Sequence, residues 1–157
     1  GMLDVHLMIE RPERYVDEFA RAGADQITVH FEATPHVHYA VKAVHEAGCL
    51  AGVALTPSTP AEALSAVAGD VDTALCMTVN PGWGGQPFIR PMVAKVERLS
   101  ALLPETVAIE VDGGVDEATA PDCAEAGARL FVAGSSVFGE ADPGEAYRRV
   151  AEAAGAV

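Results

Sequence analysis

Residues 3–9 alternate without a break: Leu3, Val5, Leu7 and Ile9 fall on one face, Asp4, His6 and Met8 on the other. A period of two predicts a strand. Residues 26–32 repeat it, with Ile27, Val29 and Phe31 opposite Gln26, Thr28, His30 and Glu32. Further strands are predicted over 50–55, 73–79, 107–111 and 130–133. Between them the apolar spacing becomes helical, over about 12–22, 36–47, 60–67, 91–103, 117–126 and 143–154. Pro12 sits in a first turn. Thr59 and Asp116 are expected N-caps. Val93, Val96, Leu99 and Leu103 share one helix face. Ala22-Gly23, Ala47-Gly48 and Ala126-Gly127 each end a helix just before a strand, the usual place of a C′ glycine.

Strand, helix and glycine recurring every 20–30 residues or so predict βα units and a parallel sheet. Six units are expected, and no Pro/Ser-rich linker divides them, so residues 1–157 read as one domain. The polar faces choose between an open sheet and a barrel. An open sheet is covered by helices on both sides and needs two apolar faces. Here one face carries Asp4, His6, Gln26, Thr28, His30, Glu32, Glu110 and Asp112. A barrel accommodates such a set in its interior and at its mouth. No Gly-x-Gly-x-x-Gly follows the first strand, so a dinucleotide fold lacks its signature. The fold class expected is α/β, a (β/α)8 barrel type present as an incomplete six-unit piece.

Charge narrows the partners. Ten Lys+Arg against 23 Asp+Glu give a net charge of -13, which disfavours nucleic acid and anionic membranes. A phosphate would have to be held mainly by backbone N–H groups. Cys49, Cys76 and Cys123 are unclustered and set among apolar residues, as expected of reduced thiols in a cytoplasmic protein. No apolar run reaches membrane-spanning length.

The chemistry concentrates at Glu110-Val111-Asp112-Gly113-Gly114-Val115. A carboxylate at the C-terminal end of a parallel strand, followed by backbone free to approach a ligand, is where α/β proteins place reactions. Taken alone, Asp112 could also be a turn aspartate and His6 a hydrogen-bonded barrel histidine. Gly82–Gly85 and Gly134-Ser135 are two further glycine-bearing loops with amides suited to an anion. Their plain alternatives are a flexible lid and an ordinary turn. His30 and Glu32 are expected to point into the barrel beside the site, Asp4 and Glu110 to form a polar layer lower down, and His36, His38 and His45 to be exposed.

Five motifs occur together and in order: Leu3-Asp4-Val5-His6-Leu7-Met8-Ile9, Thr28-Val29-His30-Phe31-Glu32-Ala33, Met77-Thr78-Val79-Asn80-Pro81-Gly82-Trp83-Gly84-Gly85-Gln86, Glu110-Val111-Asp112-Gly113-Gly114 and Gly134-Ser135-Ser136. The set resembles the ribulose-phosphate 3-epimerase family from its third barrel strand onward. The resemblance implies a metal-assisted epimerisation at C3 of D-ribulose 5-phosphate, giving D-xylulose 5-phosphate. It makes Asp112 one of two catalytic aspartates and His6 and Asp112 two of four ligands of a divalent ion (Zn, Fe, Mn or Co). It carries substrate or phosphate contacts onto His6, Gly82, Trp83, Gly84, Gly85, Gly113, Gly114, Gly134 and Ser135. Met8 and Met77 become an apolar wall over the reacting carbons, keeping water from quenching an enediolate. A sugar phosphate is the implied partner, and a homo-oligomer is expected. The family's first two βα units, with the second aspartate and two ligands, have no counterpart here, so the chain is expected to be N-terminally truncated and impaired by itself. The alternatives are a D-allulose-6-phosphate 3-epimerase, or a non-catalytic phosphate-binding or assembly protein.

Overall fold

The computed structural model describes residues 1–155, and all six expected strands form. β1 (Asp4–Leu7), β2 (Gln26–His30), β3 (Leu50–Leu55), β4 (Thr73–Met77), β5 (Ala108–Asp112) and β6 (Leu130–Val132) make one sheet in chain order. Every neighbouring pair is parallel. The α-helices are α1 (Val16–Arg21), α2 (Val37–Glu46), α3 (Met92–Leu102), α4 (Ala120–Glu125), α5 (Ser135–Phe138) and α6 (Pro143–Ala153).

Several boundaries move for local reasons. The strand expected to reach residue 32 stops at His30, because Phe31–Ala33 close into a 3-10 turn. That lifts Glu32 from the barrel interior to its rim. The helix expected over 12–22 is broken: Arg11 adopts a left-handed φ of 51°, Pro12–Arg14 form a 3-10 turn, and the α-helix starts at Val16. Residues 60–67 yield only the 3-10 turn Ala61–Leu64, and the Thr59 hydroxyl bonds to Glu32 instead of capping it. Asp116 does cap its segment. Its Oδ1 accepts from the N–H groups of Ala118 and Thr119, both at 2.9 Å, although α4 proper begins at Ala120.

Two apolar clusters lie on opposite sides of the sheet. The larger joins Ile27, Val29, Val53 and Val111 to Val41 and Val44 of α2 and to Val96 and Leu99 of α3. All eight are essentially inaccessible to solvent, and each such side chain contributes about 1.5–3 kcal/mol through burial. The smaller, Ala54, Leu75, Met77 and Val79, faces the other way, into the curl of the sheet. β1 and β5 are four strand intervals apart, about 19 Å if the sheet were flat. Yet His6 Nδ1 of β1 lies 3.5 Å from Asp112 Oδ2 of β5. Only a sheet rolled into part of a barrel can bring them together. The roll leaves β1 and β6 paired on one side only.

Candidate active site

The barrel interior is polar at its base. Gln26, 1% exposed, donates to Asp4 Oδ2 at 2.7 Å and accepts from Thr73 Oγ1 at 3.0 Å. Glu110 completes this layer, and its Oε2 is buried without a hydrogen-bond partner. Burial, reinforced by the charges of Asp4 and Asp112, pushes the Glu110 carboxyl up to about 7. Burial also raises Asp4, opposed by the nearby His6 and the Gln26 hydrogen bond. The expected polar layer therefore exists, though Asp4 itself lies on the open edge and is exposed.

Above that layer is the mouth. A cavity of about 320 Å³ is lined by Met8, Met77, Gly82–Gly85 with Trp83, Asp112, Gly113, Gly114, Gly134 and Ser135. The sequence singles out these residues among those on the wall, and they come from four separate stretches of chain. Among the described residues no lysine or arginine is on the wall. An anion there would meet backbone N–H groups, in keeping with the charge balance. Met77 is 1% exposed and Met8 48% exposed, so one is a fixed floor and the other an edge. His6 stands beside Asp112 and not on the cavity wall itself.

The turn after β5 is held by its neighbours. Thr78 N–H donates to the Asp112 carbonyl at 2.8 Å, and its hydroxyl donates to the Gly113 carbonyl. Gly113 has φ 119°, and a Cβ there would come within 3.0 Å of Val79 Cβ and both its methyl groups. Gly114 has φ 64° and abuts the Phe88 backbone. These two glycines are required by packing whether or not a ligand binds. Gly84 and Gly134 differ: neither has positive φ, and a Cβ on either would enter open space. Packing gives no reason for glycine at those two positions.

The sequence does not reveal the part played by Thr78, nor that Val79, Asn80, Val115 and Val132 line the cavity. Thr78 follows β4, and only the β4–β5 register shows that it grips the Asp-Gly-Gly turn. Gln86 is, in the sequence, no more than a loop residue. Its Nε2 donates to the carbonyls of Asn80 at 2.6 Å and Trp83 at 2.9 Å, stapling the glycine-rich loop to itself. His30 is buried and contacts His6, as expected of an inward residue, whereas Glu32 reaches His30 from the rim. His36, His38 and His45 are exposed, and His45 pairs with Asp72.

The donor set can be tested against a divalent cation. Bonds of 2.0–2.1 Å at a tetrahedral angle separate two donors by roughly 3.4 Å. The 3.5 Å between His6 Nδ1 and Asp112 Oδ2 matches that edge, and it is too long for a good hydrogen bond. The pair fits as two ligands. Among the described residues no group of three or more His, Cys, Asp or Glu side chains could hold a metal.

A model described as the ribulose-phosphate 3 epimerase family matches residues 1–138. Ribulose-phosphate 3-epimerase of Bacillus subtilis (strain 168) is 48% identical over 152 residues, covering 94% of this chain and 70% of that protein. The Rhodobacter capsulatus enzyme is 51% identical over 138 residues, covering 87% and 60%. The chloroplastic enzyme of Arabidopsis thaliana is 47% identical over 153 residues, covering 94% and 54%. The chain thus spans between 54% and 70% of these relatives. Among solved structures, a 3-hexulose-6-phosphate synthase superposes with a TM-score of 0.72 at 27% identity, covering 92% of this chain and 69% of that one. KGPDC from Streptococcus mutans superposes at 0.76 and 18% identity, covering 100% and 73%, a likeness of fold. The fold is an incomplete α/β barrel of that type, the curated relatives are isomerases, and the chain belongs to the ribulose-phosphate 3-epimerase family.

Proposed function

We propose that this chain carries one half of an epimerase site that inverts C3 of D-ribulose 5-phosphate to give D-xylulose 5-phosphate, with Asp112 as the base on one face. The observation that supports it is a cavity that joins Asp112 to three amide-bearing loops, with an imidazole nitrogen 3.5 Å from the carboxylate. Inversion α to a ketone needs a base on one face and an acid on the other. Asp112 supplies the first, and among the described residues no second carboxylate lines the cavity.

The glycine loops orient the substrate. Amides of Gly82–Gly85, Gly113, Gly114, Gly134 and Ser135 surround the phosphate, with Trp83 on the same wall. Met8 and Met77 keep water from the reacting carbon. Asp112 takes the C3 proton on a carboxylate oxygen and can return it only to the same face. His6 and Asp112 would hold a divalent ion, which when bound supplies positive charge against the oxyanion that develops as the proton leaves. Three free, buried cysteines support a cytoplasmic setting, and the one-sided edges β1 and β6 support association with further copies.

Incubation in D2O tests the reading. With one base, the chain is expected to wash deuterium into C3 of only one of the two epimers, with net epimerisation near background. Asp112→Asn is expected to abolish the exchange. Exchange that survives Asp112→Asn refutes the assignment, and rapid epimerisation by the unmodified chain refutes its being half a site.

A further inference from the structure

We infer that His30 and Glu32 are positioning residues: they fix the proton of His6 on Nε2 and leave Nδ1 as the lone pair facing Asp112. The inference rests on the proposed function, in which His6 Nδ1 and Asp112 Oδ2 share one ion.

Four side chains form an unbroken line. Asp112 Oδ2 is 3.5 Å from His6 Nδ1, His6 Nε2 is 2.8 Å from His30 Nε2, and His30 Nδ1 is 3.5 Å from Glu32 Oε2. The two ring planes differ by 25° and their centroids are 4.9 Å apart. An in-line N–H···N contact places imidazole centroids about 5 Å apart, so the rings meet nitrogen to nitrogen and not face to face. The far end is anchored. Glu32 Oε1 accepts from Thr56 N–H and Thr56 Oγ1, both at 2.9 Å, and from the Thr59 hydroxyl. Lys95 in turn holds that loop through the Thr56 and Pro57 carbonyls at 2.9 and 2.8 Å.

Valence fixes the direction of the line. A neutral imidazole carries one N–H. If Nδ1 of His6 offers its lone pair to a cation, the hydrogen must be on Nε2. The 2.8 Å contact then requires Nε2 of His30 to accept, which puts the His30 hydrogen on Nδ1, facing Glu32. The opposite direction would aim a lone pair of His30 at a carboxylate and an N–H of His6 at the cation. Glu32 is suited to be the terminal acceptor. Burial would raise its carboxyl, but the nearby His30 and the hydrogen bonds from Thr59 and Thr56 outweigh this and bring it to about 2. Metal-bound histidines commonly donate their other N–H to a carboxylate; here the carboxylate is reached through a second imidazole.

The test is long-range 1H–15N correlation on the full chain with saturating Zn2+, at mildly alkaline pH. Hydrogen is expected on Nε2 of His6 and on Nδ1 of His30. In Glu32→Leu, His30 is expected to lose its Nδ1–H form, and Zn2+ binding followed at the His6 and Asp112 resonances should weaken about 10–100-fold. His30→Gln, whose amide oxygen can still accept, should preserve the His6 form, whereas His30→Phe should not. Hydrogens on the opposite nitrogens of the unmodified chain, or a tautomer mixture at either ring, overturn the inference. If the hydrogens are as expected but Zn2+ moves neither His6 nor Asp112, the shared-ion reading fails instead, and the inference with it. The unmodified chain decides the tautomers even if a variant does not fold.

Discussion

Alanine at Gly113 and at Gly134 should separate packing from ligand binding. At Gly113 the substitution forces a left-handed backbone at φ 119° and drives a Cβ into Val79. The first costs roughly 1–2 kcal/mol, and overpacking adds roughly 1–3 kcal/mol. A loss of roughly 2–5 kcal/mol corresponds to a fall in Tm of roughly 4–20 °C for a chain of this length. At Gly134, as at Gly84, the Cβ meets nothing and φ is not positive, so stability should change by less than about 1 kcal/mol. What the new methyl group occupies is the cavity. If amides there hold a phosphate, displacing one charge-assisted hydrogen bond costs roughly 1.5–3 kcal/mol, which is at least tenfold in affinity. Urea unfolding at constant m-value, paired with calorimetric titration of D-ribulose 5-phosphate, reads both effects. The reasoning is refuted if Gly134→Ala destabilises as much as Gly113→Ala, or if Gly84→Ala and Gly134→Ala both bind the sugar phosphate like the unmodified chain.

Two predictions concern the base of the barrel. The Glu110 carboxyl sits at about 7, above its ordinary value, so folding favours its protonated form. Its contribution to stability is full below the unfolded value near 4.5 and is lost as pH rises to about 7, a change on the order of 3 kcal/mol. Denaturation of the metal-free protein across that range should show the decline, and Glu110→Gln should flatten it; an unchanged slope in the variant would assign it elsewhere. Gln26→Leu should leave the buried Thr73 hydroxyl without its acceptor and cost about 1–3 kcal/mol. Gln26→Leu with Thr73→Val should recover part of that loss in a double-mutant cycle, and strict additivity would show that the pair is not coupled.

Period and punctuation determined much of this protein. Two-residue alternation located β1 and β2, and glycine after each helix marked the turns into the strands. The split between polar and apolar faces selected a barrel over an open sheet, because an interior mouth tolerates His6 and Asp112 where a helix-covered face does not. The motifs around Asp112, Gly82–Gly85 and Gly134 lie together on the cavity wall. Tertiary structure decided what depends on contacts between strands distant in sequence. Glu32 follows the alternation of β2 but leaves the sheet at the Phe31–Ala33 turn, because its carboxylate is claimed by Thr56 and Thr59 of the next loop. Glycines 84, 113, 114 and 134 look equivalent as letters; only the positions of Val79 and Phe88 show that two serve packing and two leave space. The His6–His30 contact belongs to the same class. A period of two places both residues on one face, but the β1–β2 pairing and the roll of the sheet set their nitrogens 2.8 Å apart.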